Sequence, residues 1–201
     1  MKIPIYVSEK VIYLTDEPIV KGANNCFALK EISLKEILRL LKRRDVQVLF
    51  LHHHKAGKLL SNFRKKVKTV VAGGGRVSNI KGEVLFIYRN KKWDLPKGRI
   101  ERNETIEEGA LREVKEETGV KKLKLQGEIG PTYHLFKVNG ETKLKITYWF
   151  EMSTTYTGSL SPEKAEGITK AVWLGEEQMK KASAKSYANI ASLLKQKIKL
   201  D

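Results

Sequence analysis

The stretch from Gly98 to Val120 reads GRIERNETIEEGALREVKEETGV and places three glutamates close together in a strongly basic chain. If this stretch is helical, Glu113, Glu116 and Glu117 are three and four residues apart, so their carboxylates share one face. Like charges at this spacing repel each other and reduce helix stability. A divalent cation among the carboxylates would remove that repulsion, and hard cations such as Mg²⁺ prefer carboxylate and water oxygens. The cluster therefore predicts a metal site on a helix.

The flanking residues predict the limits of this helix. Thr105 and Glu108 have the spacing of a capping box, which indicates that the helix starts at Thr105. Gly119 stands where a glycine commonly ends a helix, which gives a length of about 13 residues. Its apolar stripe is formed by Ala110, Leu111 and Val114. Gly109 inside the helix costs about 1 kcal/mol relative to alanine, and the close approach of a neighbouring backbone would explain it.

The same stretch resembles the Nudix box, the signature of the Nudix hydrolases. That signature specifies a glycine, a glutamate, an Arg-Glu pair, a Glu-Glu pair, a second glycine and two aliphatic residues at fixed spacing. The specified positions are filled here by Gly98, Glu104, Arg112, Glu113, Val114, Glu116, Glu117, Gly119 and Val120. A match at so many positions is far more specific than a short glycine motif. The resemblance implies an α/β fold, a Nudix-type α/β/α sandwich with a mixed sheet.

The resemblance also implies roles for individual residues. The implied cofactor is Mg²⁺, with Mn²⁺ as an alternative. Its implied ligands are Glu113, Glu116, Glu117, Gly98 through its carbonyl, and a later acid, for which Glu166 is the first choice and Glu163 the second. Arg112 would orient a neighbouring carboxylate, and Glu104 would steady the loop or the site. The general base is Glu113 or Glu117, and the two are left open because family members differ.

Charge indicates the class of partner. The chain has 39 Lys and Arg against 23 Asp and Glu, a formal net charge of +16. Such a field attracts polyanions, among them nucleotides, inositol phosphates and RNA, although a basic balance can also serve solubility. Candidate ligands of outer phosphate groups are Arg76, Lys97, Arg99 and Arg102. The run Trp93–Gly98 resembles enzymes that act on dinucleoside polyphosphates and diphosphoinositol polyphosphates.

These observations lead to three hypotheses of function. The first is a Mg²⁺-dependent hydrolase that cleaves a phosphoanhydride in a nucleoside diphosphate linked to another moiety. The second is an RNA 5′-pyrophosphohydrolase or a housecleaning nucleoside triphosphate pyrophosphatase. The third, of a different class, is a regulator that senses a nucleotide without hydrolysing it. Because the chain retains all the box glutamates, the enzymatic hypotheses are favoured.

The sequence predicts two domains. Residues 1–68 hold 15 basic and 6 acidic residues, a net charge of +9, and are expected to form a small basic α/β domain of unknown role. Residues 69–201 hold 24 and 17, a net charge of +7, and are expected to form the Nudix domain. The predicted elements of the first domain are a hairpin over 2–14, a helix from Ser33 to about Lys42, a strand over 46–51 and a helix over 59–68.

The second domain is predicted to begin with a strand that runs into Gly73–Gly75, where a bulge or bend is expected. Further predicted elements are strands over 83–89, 143–152 and 168–174 and a closing helix over 183–200. The three histidines at 52–54 are adjacent and point in different directions, which makes them a poor metal site; they could instead help a basic patch to bind phosphate.

Cysteine usage and hydropathy complete the expectations. Cys26 is the single cysteine, so an internal disulfide is excluded and a buried structural role is expected. Charged residues interrupt the N-terminal region, and no apolar run approaches the length of a membrane-spanning helix. We therefore expect a soluble cytoplasmic protein with no membrane partner, in which a homodimer is one arrangement to test.

Overall fold

The computed structural model of the chain describes residues 1–18 and 25–195. Its contacts divide the chain into two units. The first comprises Met1–Val70 and Tyr133–Lys145, and the second comprises Val71–Thr132 and Ile146–Asp201. The predicted division at residue 68 stays a prediction. The grouping of residues 133–145 with the start of the chain was not foreseen.

The elements up to residue 64 belong to the first unit. They are strands β1 (Lys2–Val7), β2 (Lys10–Thr15) and β3 (Cys26–Ala28), helix α1 (Leu34–Lys42), strand β4 (Val48–His52) and helix α2 (Leu59–Arg64). The strands are ordered β1-β2-β4-β3. β1 and β2 are antiparallel, whereas β4 runs parallel to both β2 and β3.

The predicted elements of this unit are present, and two have different limits: the strand predicted over 46–51 is β4, at Val48–His52, and one helix is shorter. The hairpin of β1 and β2 turns at Ser8, whose φ is 55°. Helix α1 begins with a capping box between Ser33 and Glu36, as its sequence indicates. The helix predicted over 59–68 is too long, because α2 ends at Arg64 and a tightened turn from Val67 to Arg64 follows it.

The later elements follow in chain order. They are β5 (Lys68–Ser78), β6 (Val84–Arg89), β7 (Lys92–Asp94), β8 (Lys97–Arg99), α3 (Ile106–Thr118), β9 (Leu123–Val138), β10 (Glu141–Thr154), β11 (Ile168–Leu174), α4 (Glu176–Ser183) and α5 (Ala188–Leu194). In the second unit the strands are ordered β11-β6-β5-β10-β9, with β7 beside β6 and β8 beside β5. In the first unit, Tyr133 and His134 of β9 pair in parallel with β1.

The second unit is an α/β/α sandwich, as expected. Neighbouring residues of its strands alternate between two apolar cores, which is the pattern of a sheet that is covered on both faces. One core is formed by Val77, Leu85, Ala110, Val114, Val120, Phe150 and Met152, and includes residues of α3. The other is formed by Val84, Phe86, Leu95, Trp149, Ala182, Ile190 and Leu193, and includes residues of α4 and α5.

The glycine run of β5 does not form the predicted bulge or bend. Gly73, Gly74 and Gly75 lie inside a regular strand. A Cβ at Gly73 or Gly75 would press against side chains of α3, and one at Gly74 would press against Trp149. The glycines are therefore needed for close packing on both faces of the strand.

The closing helix predicted over 183–200 begins later within the described residues, at the start of α5, and helix α4 just before this range was not predicted. α4 ends at Ser183, and α5 begins at Ala188. Between them the Lys185 carbonyl accepts a hydrogen bond from the Trp93 backbone N–H at 3.2 Å, and Ser186 forms a bridge with Trp93. This pairing takes the backbone out of the helix. The last predicted helical positions, 196–200, lie outside the described residues.

Strand β9 was not predicted, because Gly127, Gly130 and Pro131 interrupt its pattern. Among the described residues, no helix is long and apolar enough to cross a membrane.

Gly119 generates a prediction on stability. It ends α3 with a φ of 70°, in the left-handed region that side chains disfavour. Gly119→Ala is expected to lower the free energy of unfolding by about 1 to 2 kcal/mol, measured by urea denaturation. Gly57→Ala is the control, because no atom lies within 4 Å of a Cβ built there. Equal effects of the two substitutions would contradict the role of the left-handed backbone.

Candidate active site

Helix α3 has the limits that the sequence predicts. The Thr105 hydroxyl accepts a hydrogen bond from the Glu108 N–H at 3.1 Å, and the Thr105 N–H donates to the Glu108 carboxylate at 2.8 Å. At the other end, the Gly119 N–H donates to the Lys115 carbonyl at 2.8 Å. The buried face of the helix carries Ala110 and Val114. These caps and contacts fix the rotation of the helix and hence the direction of its glutamates.

Gly98 lies directly against the carboxylate of Glu113. It is the central residue of β8 and pairs with Gly73 of β5. A Cβ built at Gly98 would overlap the Glu113 carboxylate. A glycine is therefore required if the backbone of this loop and the Glu113 carboxylate are to stand side by side. Gly109 is also closely approached, but by side chains and not by a neighbouring backbone, because a Cβ there would press against Ile100 and Glu104.

Arg112 connects three carboxylates. Its guanidinium donates two hydrogen bonds to Glu104, at 2.7 and 3.0 Å. It donates one to Glu113 at 2.9 Å and one to Glu116 at 2.8 Å. A fifth hydrogen bond goes to the backbone carbonyl of Arg99 at 3.0 Å. The guanidinium has five N–H donors in a fixed planar arrangement, so these contacts hold all three carboxylates in defined directions.

The pKa values of Glu104 and Arg112 show the strength of their pairing. Hydrogen bonds from Arg112, together with one from the Glu101 N–H at 2.5 Å, lower the pKa of Glu104 to about 2. The same carboxylate, with help from Glu113 and Glu116, holds the pKa of Arg112 well above its usual range. Glu104 is therefore a carboxylate whenever the protein is folded near neutral pH, and it fixes Arg112 in place.

Glu117 lies in a very different environment from the other glutamates of the helix. Its side chain is only 1% exposed. One carboxylate oxygen accepts a hydrogen bond from the Lys97 N–H at 2.8 Å, and the other lies 3.4 Å from a guanidinium nitrogen of Arg89. Burial raises the pKa of Glu117 to about 7, although Lys97 and Arg89 act in the opposite direction.

A loop before β11 brings another acid to this region. The Glu163 N–H donates to the Glu117 carbonyl at 3.1 Å, which ties the loop to the end of α3. Glu166 lies 3.8 Å from Arg89 and has a side chain that is 56% exposed. Burial raises the pKa of Glu113, Arg112 lowers it, and the charges of Glu116 and Glu166 raise it further. The structure thus brings Glu113, Glu117 and Glu166 into one neighbourhood.

A comparison with protein families agrees with this geometry. The model of the NUDIX domain matches residues 68–194, which is more than half of the chain. The chain belongs to the Nudix family. Its Nudix helix is α3, and the Nudix box runs from Gly98 to Val120.

Individual Nudix relatives share shorter stretches. A Caenorhabditis elegans protein named nudix hydrolase 1 is 57% identical over 42 residues, which are 18% of this chain and 12% of that protein. A Mycobacterium tuberculosis protein named mutator protein MutT4 is 37% identical over 82 residues, 41% of this chain and 32% of that protein. The chain thus matches about a third or less of these two relatives' lengths.

One solved structure supports the fold. The crystal structure of a MutT protein from Methanosarcina mazei Go1 has a TM-score of 0.52 and 22% sequence identity. The similarity covers 64% of this chain and 91% of that one. At this identity the likeness shows the fold alone.

The acids of the Nudix helix fit a divalent metal ion in their chemistry. Their donors are carboxylate oxygens, and the glycine at position 98 leaves the backbone open beside Glu113. As the side chains lie, however, no three acidic, histidine or cysteine groups within 1–18 and 25–195 are close enough to hold an ion. The physical reason is that Arg112 and the Lys97 N–H occupy carboxylate oxygens that a cation would need.

The four candidate phosphate ligands lie in different surroundings. Arg99 and Arg102 are exposed. The Lys97 ammonium bonds to Asp94 at 2.6 Å, and its side chain is 12% exposed. The Arg76 side chain is 8% exposed and donates a hydrogen bond to Glu151 at 2.7 Å. These surroundings favour a phosphate-binding role for Arg99 and Arg102 and do not favour it for Arg76.

Sequence reasoning missed two residues of the site. Arg89, at the end of β6, lies close to both Glu117 and Glu166. Asp94 is buried and accepts hydrogen bonds from Lys97 and from the Leu95 N–H. Asp94 lies two residues before Pro96, just ahead of the box, and that position was a signal in the sequence. Arg89 had no such signal, because only the pairing of strands brings it near the helix.

The raised pKa of Glu117 predicts how metal-free stability depends on pH. The folded state holds this proton up to about pH 7, whereas the usual pKa of a glutamate is 4.5. The stabilisation is therefore complete below the lower value and is lost as pH rises through the upper one. Glu117→Gln removes this loss. Relative to wild type, the variant is expected to gain on the order of 3 kcal/mol between about pH 5 and pH 8.

The measurement is urea denaturation of both proteins in EDTA at the two pH values. Glu107→Gln is the matched control, since Glu107 lies on the same helix and is exposed to water. Its stability relative to wild type should change little with pH. A Glu117→Gln difference that is the same at both pH values would show that the carboxylate is not held in its protonated form.

Proposed function

We propose that the chain is a Mg²⁺-dependent pyrophosphohydrolase. It cleaves a phosphoanhydride in a nucleoside diphosphate that is linked to another moiety. Membership of the Nudix family supports this proposal, as do the complete box and the names of the two curated relatives, a nudix hydrolase and a mutator protein.

The observation that carries the proposal is the set of hydrogen bonds from Arg112. A solvated surface helix does not need an arginine that engages Glu104, Glu113, Glu116 and a loop carbonyl together. Nor does it need a buried Glu117 beside these groups. Burying and aiming several carboxylates is costly unless they serve a ligand of opposite charge, and that favours a cation-dependent site.

The residues of the site have different proposed roles. Glu113, Glu116, Glu117 and the Gly98 carbonyl are the proposed ligands of Mg²⁺ or Mn²⁺, with Glu166 as a further ligand. When bound, the ion neutralises phosphate charge and polarises the phosphorus–oxygen bonds. Arg112 orients the carboxylates, and Glu104 holds Arg112. Glu113 or Glu117 accepts the proton of the attacking water, and both are buried enough for a raised pKa.

Two exposed arginines of the box are the proposed ligands of the substrate. Arg99 and Arg102 flank the Nudix helix on the loop that precedes it and carry side chains open to solvent. They are proposed to bind the outer phosphates. Highly anionic substrates fit a chain of this charge, so dinucleoside polyphosphates and diphosphoinositol polyphosphates are the leading candidates.

A hydrolysis screen with Mg²⁺, in which the products are separated by chromatography, tests the reaction class. Its substrates are diadenosine polyphosphates, diphosphoinositol phosphates, deoxynucleoside triphosphates, nucleotide sugars and triphosphorylated RNA. Glu117→Gln is expected to lower turnover of the best substrate about 100-fold or more, since a lost metal ligand should cost at least as much as a lost orienting partner. Glu107→Gln should retain turnover. Binding of a nucleotide with no turnover by wild type would support the regulator hypothesis instead.

Substitutions of Arg112 and Arg102 are expected to change different kinetic constants. Arg112→Ala is expected to lower kcat roughly 10- to 100-fold, because the carboxylates lose their common partner. Arg102→Ala is expected to raise KM with kcat nearly unchanged, because it removes only a phosphate contact. Steady-state kinetics on the same substrate distinguishes the two. A raised KM and normal kcat for Arg112→Ala would contradict its orienting role.

A further inference from the structure

The first unit contains a basic concavity that has no residue in common with the active site. It has a volume of 420 Å³ and is lined by Lys30, His53, His54, Lys55, Lys58, Ser61, Asn62 and Lys65. These residues include four lysines and no acid. The four lysines are exposed, so their charges face the solvent-accessible side of the concavity. Clustered like charges that nothing balances are a cost to the fold and favour an anionic ligand.

A second concavity extends the same surface. It shares Ser61 and Lys65 with the first, and its lining adds the cations Arg64, Lys66 and Lys68. Among the described residues this lining contains no acid, although Lys68 is paired with Glu141 at 2.7 Å. Because the two concavities share residues, their cations form one continuous tract. A single phosphate would engage only part of such a tract, whereas a ligand with several phosphates could engage more of it.

His53 supplies an independent observation in the wall of the first concavity. The residue is only 5% exposed. Its Nδ1 accepts a hydrogen bond from the Lys55 N–H at 3.0 Å. Nδ1 is also 3.2 Å from the Lys55 carbonyl oxygen, but a backbone N–H always carries its hydrogen, so Nδ1 is the acceptor. The neutral ring therefore carries its own hydrogen on Nε2.

That Nε2 is buried and has no hydrogen-bond partner within the described residues. A buried donor without an acceptor is costly, and in native proteins such a group calls for an explanation. The atom is closed to solvent, so an anion in the concavity does not reach it in this conformation, and the lysines carry the argument for a ligand.

His54 shows the effect of the surrounding charge. Its ring stacks on that of His53, with centroids 4.7 Å apart and planes 15° from parallel. Burial lowers the pKa of His54, and neighbouring groups, among them the positively charged Lys55 and Lys30, lower it further. The histidine pair thus lies in a positive field that the described side chains do not neutralise.

We propose that this concavity is a second binding site, which takes a small molecule carrying several phosphate groups. Its concave form and its lysines suit such a ligand. Proteins that bind single-stranded nucleic acid stack bases on aromatic rings, and the two linings contain no Phe, Tyr or Trp. An anionic membrane surface is less well matched, because no large exposed apolar side chain belongs to either lining. The site is independent of the proposed hydrolysis.

The test is calorimetric titration of the full chain with inorganic tripolyphosphate in EDTA, which prevents metal-dependent turnover. The variant is Lys55→Gln/Lys58→Gln/Lys65→Gln. The matched control is Lys35→Gln/Lys42→Gln/Arg44→Gln, which removes the same charge from exposed positions outside both linings. The first variant is expected to weaken binding roughly tenfold or more, and the control by less than about threefold. Turnover with Mg²⁺ should be unchanged in both.

Equal losses in the variant and the control would overturn the proposal, because they would show attraction to net charge alone. So would strong binding of a single-stranded RNA of about 12 nucleotides that the lysine variant abolishes, if tripolyphosphate binds weakly. Lysine acetylation of wild type, read by mass spectrometry, gives a check that needs no variant. Tripolyphosphate should protect Lys55, Lys58 and Lys65 but not Lys35 and Lys42, and uniform protection would contradict a defined site.

Discussion

Arg112 is the group on which the proposed active site depends. The acids of the Nudix helix repel one another, and two of them are withdrawn from water. An isolated set of carboxylates in this position would turn away from one another or take up protons. The guanidinium prevents this by binding Glu104, Glu113 and Glu116 at once, while its link to the Arg99 carbonyl attaches the preceding loop. One planar cation thus sets both the direction of the acids and the distance between helix and loop.

Close approach of side chains to the backbone is the second constraint, and it explains the glycines. Gly98 stands against Glu113, and Gly109 stands against Ile100 and Glu104. A side chain at either position would separate the loop from the helix and would move the carboxylates that Arg112 holds. Gly73 and Gly75 of β5 let α3 pack tightly on one face of the sheet, and Gly74 leaves room for Trp149 on the other. The polar site and the packed core therefore rely on the same absence of side chains.

The sequence predicted what local rules control. Both ends of α3 and its apolar stripe follow from residues only a few positions apart. What it could not predict depends on distant pairing. Arg89 reaches Glu117 only because β6, β7 and the box loop lie together, and α4 is separated from α5 because the backbone near Ser186 pairs with Trp93. Arg76 was chosen for its charge, whereas its burial beside Glu151 follows from the packing of the sheet.

The first unit is built from two pieces of chain that the sequence separates widely. Residues 1–70 form most of it, yet Tyr133–Lys145 complete it, and β1 finds its parallel neighbour only in Tyr133 and His134. During synthesis the ribosome must therefore release the whole Nudix box before β1 can obtain its last partner. Contacts of such long sequence separation form slowly, and an unpaired strand edge is exposed in the meantime. The nascent chain therefore passes through a stage in which β1 lacks this neighbour.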